Sequence, residues 1–264
     1  MATANTLKQD LKSKAPMMGT FVKTPSPIIV EVLADTGLDF LILDAEHAPF
    51  GREALDLCVM TARLKGCRVV VRIPDDAPGT ILNALDLGAD GIMVPHVKSA
   101  AQAEALVKAA HYGAGGRGYA GSTRAAGYGT VPMARHKANS AANTVVIAQI
   151  EDPEGVDAIE DIAAVEGLDC LFIGRVDLAV AYGATSMQDA VVEEATMKVC
   201  QAGRDKKMTV GMFLPDMTEV PHFLAQDVSF FGMASEHKMI QDGFRALLDS
   251  AEWAEAEQQA SPGA

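Results

Sequence analysis

The sequence predicts an α/β protein: a single (β/α)8 TIM barrel with an extended C-terminal helix. Three observations predict it. Eight short apolar runs are each followed by a longer amphipathic stretch. The runs are continuous rather than alternating, as parallel strands buried on both faces must be. The chain has 264 residues without a compositional break, close to the roughly 250 residues that one closed barrel needs. Residues 1–264 therefore read as one domain, with a polar N-terminal segment over about 1–15 and a C-terminal tail over about 251–264.

The first run is Met17–Val22, followed by a helical stretch from Ser26 to Thr36. Asp39–Asp44 (DFLILD) leads to a helix over Arg52–Lys65, and Arg68–Ile73 (RVVVRI) to one over Pro78–Leu87. Gly91–Pro95 precedes a helix over Ser99–Tyr112, after which a Gly-rich segment from Gly113 to about Ser140 interrupts the rhythm. It resumes with Thr144–Ile150 and a helix over Val156–Val165, then Asp169–Ile173, a short segment and a long helix over Asp189–Lys206. Thr209–Leu214 leads to a helix over Thr218–Ala225, and Val228–Met233 to the last helix, Lys238 to about Glu257. Gly37, Gly66 and Gly88 stand where helices should end, positions that favour a left-handed residue. The polar end of the last helix, AEWAEAEQQ, is either a solvated tail or an arm that packs on a neighbouring subunit.

Apolar residues make up 49% of the chain and aromatics 5%, a mix suited to helices packed on buried strands. The net charge of -13 opposes a nucleic-acid surface, which needs clustered cations, and opposes adhesion to an anionic membrane. The four cysteines, Cys58, Cys67, Cys170 and Cys200, are too few and too scattered for a disulfide framework and read as reduced thiols. The N-terminus lacks the apolar core of a signal peptide, and no apolar run reaches the roughly 20 residues of a membrane span. A cytoplasmic location is expected.

Catalytic groups of such barrels gather at the C-terminal ends of the strands. There the sequence places Asp44-Ala45-Glu46-His47 after the second run, Arg72 at the end of the third, Gln149-Ile150-Glu151-Asp152 at the fifth and Gly174-Arg175-Val176-Asp177 after the sixth. Charges abutting apolar strands need partners. Glu151 and Asp177 offer the hard oxygens that suit Mg2+, Mn2+ or Co2+, or else they cap the helices that follow. His47 titrates near neutrality and suits proton transfer, with Asp44 three residues earlier able to orient it; a structural histidine is the alternative. Arg72 either stabilises an oxyanion or pairs with a rim acid. The Gly113–Gly129 stretch is neither a Walker A loop nor a dinucleotide fingerprint, and it either cradles an anion or shapes a pocket, or else is a mobile loop. Nothing points to NAD or PLP. Lys23 and Lys98 lie beyond their runs rather than inside them, which disfavours a Schiff-base lysine.

At these residues the sequence resembles the HpcH/HpaI family of metal-dependent pyruvate aldolases. The resemblance extends from about Gly19 to Leu248 and rests on DAEHAPF (Asp44–Phe50), VRIP (Val71–Pro74), LDLGADGIMVPHV (Leu85–Val97), GRGYAGSTRAAGYG (Gly116–Gly129), AQIEDPEGV (Ala148–Val156) and LFIGRVDLAVAYG (Leu171–Gly183). It implies a class II aldehyde-lyase that reversibly cleaves a 4-hydroxy-2-oxo acid to pyruvate, or a related 2-oxo acid, and an aldehyde through a metal-stabilised enolate. By the same resemblance Glu151 and Asp177 hold a divalent cation, His47 paired with Asp44 moves the proton of the aldol hydroxyl, and Arg72 stabilises the enolate. Gln149 lies beside the 2-oxo acid, and the backbone amides of Val176 and Asp177 contact its carboxylate. A homohexamer with exchanged C-terminal helices is also implied. The sequence departs from the family at Arg175, where proline is common, at Ala179, where serine is common, and over Ala234–Ile240; these changes bear on the choice of aldehyde. The rival expectations are a CoA-ester lyase of the citrate-lyase β type and a non-catalytic barrel that binds 2-oxo acids.

Overall fold

A computed structural model describes residues 6–251 and 253. The chain runs α1 (Leu7–Ser13), β1 (Met17–Val22), α2 (Pro27–Ala34), β2 (Phe40–Asp44), α3 (Arg52–Leu64), β3 (Arg68–Arg72), α4 (Pro78–Asp86), β4 (Gly91–Val94) and α5 (Ala100–Ala110). It continues through α6 (Met133–Asn143), β5 (Val145–Ile150), α7 (Pro153–Asp157), α8 (Ile159–Ile162), β6 (Cys170–Ile173), α9 (Arg175–Ala181), α10 (Ala190–Lys206), β7 (Thr209–Leu214), α11 (Val220–Leu224), β8 (Val228–Ser235) and α12 (Glu236–Leu248). All neighbouring strands are parallel, and β8 closes on β1 to complete the eight-stranded barrel. The predicted (β/α)8 fold is the observed one.

Alternation along each strand sorts the core into two shells. Phe40 and Ile42, Val70, Met93, Val145 and Ile147, Cys170 and Phe172, and Phe230 fill the barrel interior. Their neighbours Leu41 and Leu43, Val69 and Val71, Val146 and Ala148, Leu171 and Ile173 pack outward on the helices. Interior space is tight: a Cβ on Gly19 would lie 2.4 Å from the Phe40 ring, and one on Gly211 2.6 Å from the Phe230 carbonyl. Glycine at both positions lets neighbouring strands accommodate large rings. Gly37, Gly66 and Gly88 have φ of 89°, 72° and 95°, the left-handed conformation expected where their helices stop.

Five local readings need correction. The N-terminal segment is not merely polar: Thr6 forms a capping box with Gln9, and Leu7 and Leu11, one turn apart, bury themselves in the barrel floor. Thr209 ties this plug down by donating to the Leu11 carbonyl at 2.7 Å. The Gly-rich segment ends earlier than expected, because α6 begins at Met133. The helix expected over Val156–Val165 is two short turns, α7 and α8, broken at Ala158. The short segment after β6 is itself a helix, α9. The last helix begins at Glu236, and its far end lies outside the described residues apart from Trp253.

The Gly-rich segment does not face the barrel mouth. Arg117 forms an ion pair with Asp86 of α4, and Arg124 pairs with Asp56 of α3 at 2.6 Å. Arg117 lines a cavity of about 590 Å³ at the barrel floor, together with Arg68 and Asp90 at the entries to β3 and β4. The four cysteines are unpaired and buried, and burial raises their thiols above the ordinary range, Cys58 and Cys67 to about 11. Among the described residues no helix is long and apolar enough to cross a membrane.

Candidate active site

The same inside–outside alternation carries polar side chains onto the barrel's upper rim. Counting by twos from Phe40 and Ile42 reaches Asp44; from Val70 it reaches Arg72; from Val145 and Ile147 it reaches Gln149 and then Glu151. These positions continue the inward-facing column just above the last layer of apolar filling. β2 and β3 pair with Asp44 directly opposite Arg72. The ion pair between them follows from strand register.

Arg72 grips Asp44 with both ends of its fork: Nε donates to Oδ1 at 2.9 Å and Nη2 to Oδ2 at 2.7 Å. Asp44 is fully buried and also accepts the backbone N–H of His47 at 3.2 Å. Burial alone would raise the Asp44 carboxyl. The Arg72 hydrogen bonds and charge, the His47 amide and the nearby Lys23 ammonium outweigh it and hold Asp44 below the usual carboxylate range. The expected Asp44–His47 pairing is therefore altered. Asp44 orients the His47 backbone, while the half-exposed imidazole lies nearest Glu46, Nε2 to Oε2 at 3.6 Å. Arg72 is paired with rim acids, Glu46 at 3.3 Å included, and also lines the cavity.

Glu151 is 2% exposed. Its Oε1 accepts the backbone N–H of His96 at 3.0 Å, and its Oε2 accepts Gln149 Nε2. Gly174 leaves the room it needs, because a Cβ there would lie 2.6 Å from Glu151 Oε2. Burial pushes the Glu151 carboxyl up, the His96 amide opposes this, and the charge of Asp177 pushes it further, to about 7. Asp177 stands in the first turn of α9, so β5 and β6 bring the two expected cation-binding acids into electrostatic contact.

Beside them stands His96, which gives little signal in the sequence because β4 ends in Val94-Pro95 without a charge. His96 adopts φ of 55°, a left-handed strain uncommon outside glycine. Its Nδ1 lies 2.9 Å from Asp152 and its Nε2 3.9 Å from Glu46. Burial disfavours its charged form, but the Asp152 hydrogen bond and the charges of Glu151, Asp152 and Glu46 raise its pKa overall. Glu46, His96 and Glu151 offer ligand atoms all within 4.8 Å of one another.

A cavity of about 290 Å³ opens at the rim between the ends of β1, β3, β5, β6 and β7. His47, Arg72, Gln149 and Asp177 supply its polar wall, and Phe21, Phe172 and Phe213 its apolar wall. Val176, Gly174 and Lys23 also line it. The side chain of Arg175 is drawn away from the mouth: it binds both oxygens of Glu219 at 3.1 and 3.0 Å and the Met187 carbonyl at 3.0 Å. Ala179 packs in the outer core, whereas Ala234 and Ser235 line the cavity. Of the departures noted in the sequence, Arg175 and the Ala234–Ile240 segment both contribute to the cavity lining, and Ala179 does not.

The donor set fits a hard divalent cation. Buried Glu151 beside Asp177 is a concentration of negative charge without a matching guanidinium, and the Oε1 of Gln149 and the Oε2 of Glu46 are buried without hydrogen-bond partners. The profile of the HpcH/HpaI aldolase/citrate lyase family matches residues 17–242. The chain belongs to this family.

Similar members include the hydroxypyruvate/pyruvate aldolase of Paraburkholderia phytofirmans, 33% identical over 88% of this chain and 92% of that one. The 4-hydroxy-2-oxovalerate aldolase of Novosphingobium aromaticivorans is 36% identical over 76% and 78%. An HpcH/HpaI aldolase/citrate lyase family protein from Burkholderia cenocepacia superposes with a TM-score of 0.87, at 30% identity over 92% of this chain and 97% of that one. Within the HpcH/HpaI family frame, Glu46, His96 and Gly174 are the rim residues that sequence reasoning left without a role. The two motifs containing Glu46 and His96 were visible. What was missing was the knowledge that the turn after β4 folds back over β5.

Proposed function

We propose that this protein is a divalent-metal-dependent aldolase that reversibly splits a 4-hydroxy-2-oxo acid into pyruvate, or a related 2-oxo acid, and an aldehyde. One observation carries the proposal: a proton-transfer group, a fixed cation and the Asp177 carboxylate line one small cavity at the catalytic end of the barrel, with buried Glu151 directly behind its Gln149 and Gly174 lining. Family membership and the aldolase relatives support it. The cavity, about 290 Å³, suits a small acid.

Glu151 and Asp177 would hold the cation, which when bound supplies Lewis acidity at the keto oxygen and carboxylate of the 2-oxo acid. Gln149 fixes Glu151 through its amide N–H, and its Oε1 is buried without a hydrogen-bond partner. The α9 amides of Val176 and Asp177 have no partner within their helix and are available to a carboxylate. Arg72, immobilised by Asp44, presents fixed positive charge where the keto oxygen gains negative charge as the carbon–carbon bond breaks. His47, held by its backbone on Asp44 with its ring at the cavity edge, accepts the proton of the C4 hydroxyl and returns one in the reverse direction. Phe21, Phe172 and Phe213 keep water from the nascent carbanion.

The decisive experiment incubates the metal-free protein with a 4-hydroxy-2-oxo acid, with and without Mn2+, Co2+ or Mg2+, and follows pyruvate release. Metal-dependent release supports the reading; no release with any of the three, alongside intact folding, refutes it.

The assembly and a cytoplasmic location belong to the same reading. Along α12, Met239, Ile240, Phe244, Leu247 and Leu248 are all exposed in the single chain, a larger apolar row than a monomer ordinarily leaves to water. Coverage by further copies, in the hexamer that the resemblance implies, accounts for it. Sedimentation of a Phe244→Glu variant as a smaller species than the wild type tests this.

A further inference from the structure

We propose that Glu46, His96 and Glu151 form a second cation position with a nitrogen ligand, adjacent to the Glu151–Asp177 pair and sharing Glu151 with it. The inference rests on the reading above only for that neighbouring pair.

The geometry assigns the roles. His96 Nδ1 lies 2.9 Å from Asp152 Oδ2, and Asp152 is itself held by Lys98 at 3.1 Å. A carboxylate that takes one ring N–H fixes the tautomer, so the lone pair falls on Nε2, the arrangement that metal-binding histidines require. That Nε2 faces Glu46 Oε1 at 3.9 Å, and one donor atom from each of Glu46, His96 and Glu151 lies within 4.8 Å of the others, separations that an ion with bonds of about 2.1 Å can span.

The two oxygens of Glu151 point to different neighbours. Oε1 lies on the His96 side, 3.0 Å from its amide N and 3.5 Å from Nδ1, while Oε2 lies on the Gln149 and Gly174 side, where α9 and Asp177 begin. A carboxylate so placed can serve one ion on each oxygen. Gln149, 2% exposed, has its Oε1 buried without a hydrogen-bond partner, and Glu46 Oε2, which makes no hydrogen bond, is ion-paired with Arg72 Nε at 3.3 Å, leaving Glu46 Oε1 on the His96 side. The strained backbone of His96, φ 55°, is what turns both its amide and its ring toward Glu151. One imidazole with two carboxylates favours Mn2+, Co2+ or Zn2+ over Mg2+ at this second position.

The test is calorimetric titration of the metal-free protein with Mn2+ and with Co2+, together with the visible spectrum of the Co2+ form. Two equivalents per wild-type chain are expected. His96→Asn, which tolerates the left-handed backbone, and Glu46→Gln should each lose one equivalent or weaken it at least tenfold, with the Co2+ bands changed in His96→Asn. Asp177→Asn should weaken the other equivalent and keep the His96-dependent one. A single equivalent whose affinity and spectrum are unaltered in both His96→Asn and Glu46→Gln overturns the proposal. Full retention of both equivalents in Asp177→Asn instead overturns the Glu151–Asp177 assignment and leaves the second position standing.

Discussion

Arg72 and Asp44 sit opposite each other on adjacent strands and share two hydrogen bonds, at 2.9 and 2.7 Å, with Arg72 lining the cavity and Asp44 buried behind it. Both are buried, so neither charge can be left alone. Asp44→Ala is expected to destabilise the fold by about 3–5 kcal/mol, because the guanidinium then stays buried without its partner. Chemical denaturation measures it, and a loss below about 1 kcal/mol would show that water or Glu46 replaces the carboxylate without cost.

Arg72→Lys keeps the charge but loses the planar fork that fits Asp44. The expected result is a kcat reduced on the order of 10²-fold with a smaller change in KM, since fixed charge stabilises the transition state more than the ground state. A change confined to KM would make Arg72 a substrate anchor only.

His47→Ala is expected to slow aldol cleavage by roughly 10²–10⁴-fold while the protein folds normally, since the ring is half-exposed and the residue's structural tie is its backbone N–H. Near-normal turnover in a steady-state assay would hand proton transfer to another group, with His96 first in line.

Lys23 lines the cavity and lies 3.7 Å from Asp44. The metal-dependent reading predicts that pyruvate and borohydride leave the protein unlabelled, whereas chelation abolishes activity and added Mn2+, Co2+ or Mg2+ restores it. A reduced pyruvyl adduct on Lys23, found by mass spectrometry, would replace the metal route with a covalent imine.

Glu151 binds its proton more tightly in the folded chain, at about 7 against an ordinary 4.5. The favourable contribution is thus complete below the ordinary value and is lost as pH rises through the folded one. In chelator, wild-type Tm should fall between these two pH values by a component that Glu151→Gln lacks. The advantage of the variant above that window should be on the order of 3 kcal/mol. Parallel Tm–pH curves would place Glu151 in a more solvated setting than the structure gives it.

The sequence by itself determined the eightfold βα rhythm, the strand ends that carry Asp44, Arg72, Gln149 and Glu151, and the family motifs around them. Those are local properties: continuous apolar runs make buried strands, and a period of two decides which side chains face inward. Tertiary structure decided what the groups do to one another. Strand register gave both oxygens of Asp44 to Arg72 and left His47 only its backbone tie, and the strained turn after β4 brought His96 onto Glu151 from 55 positions away in the chain. The Leu7–Leu11 plug was also missed, since its two leucines in a polar segment become a floor only where a barrel exists to close. Periodicity records burial, but the partner of a buried charge depends on distances that only chain closure sets.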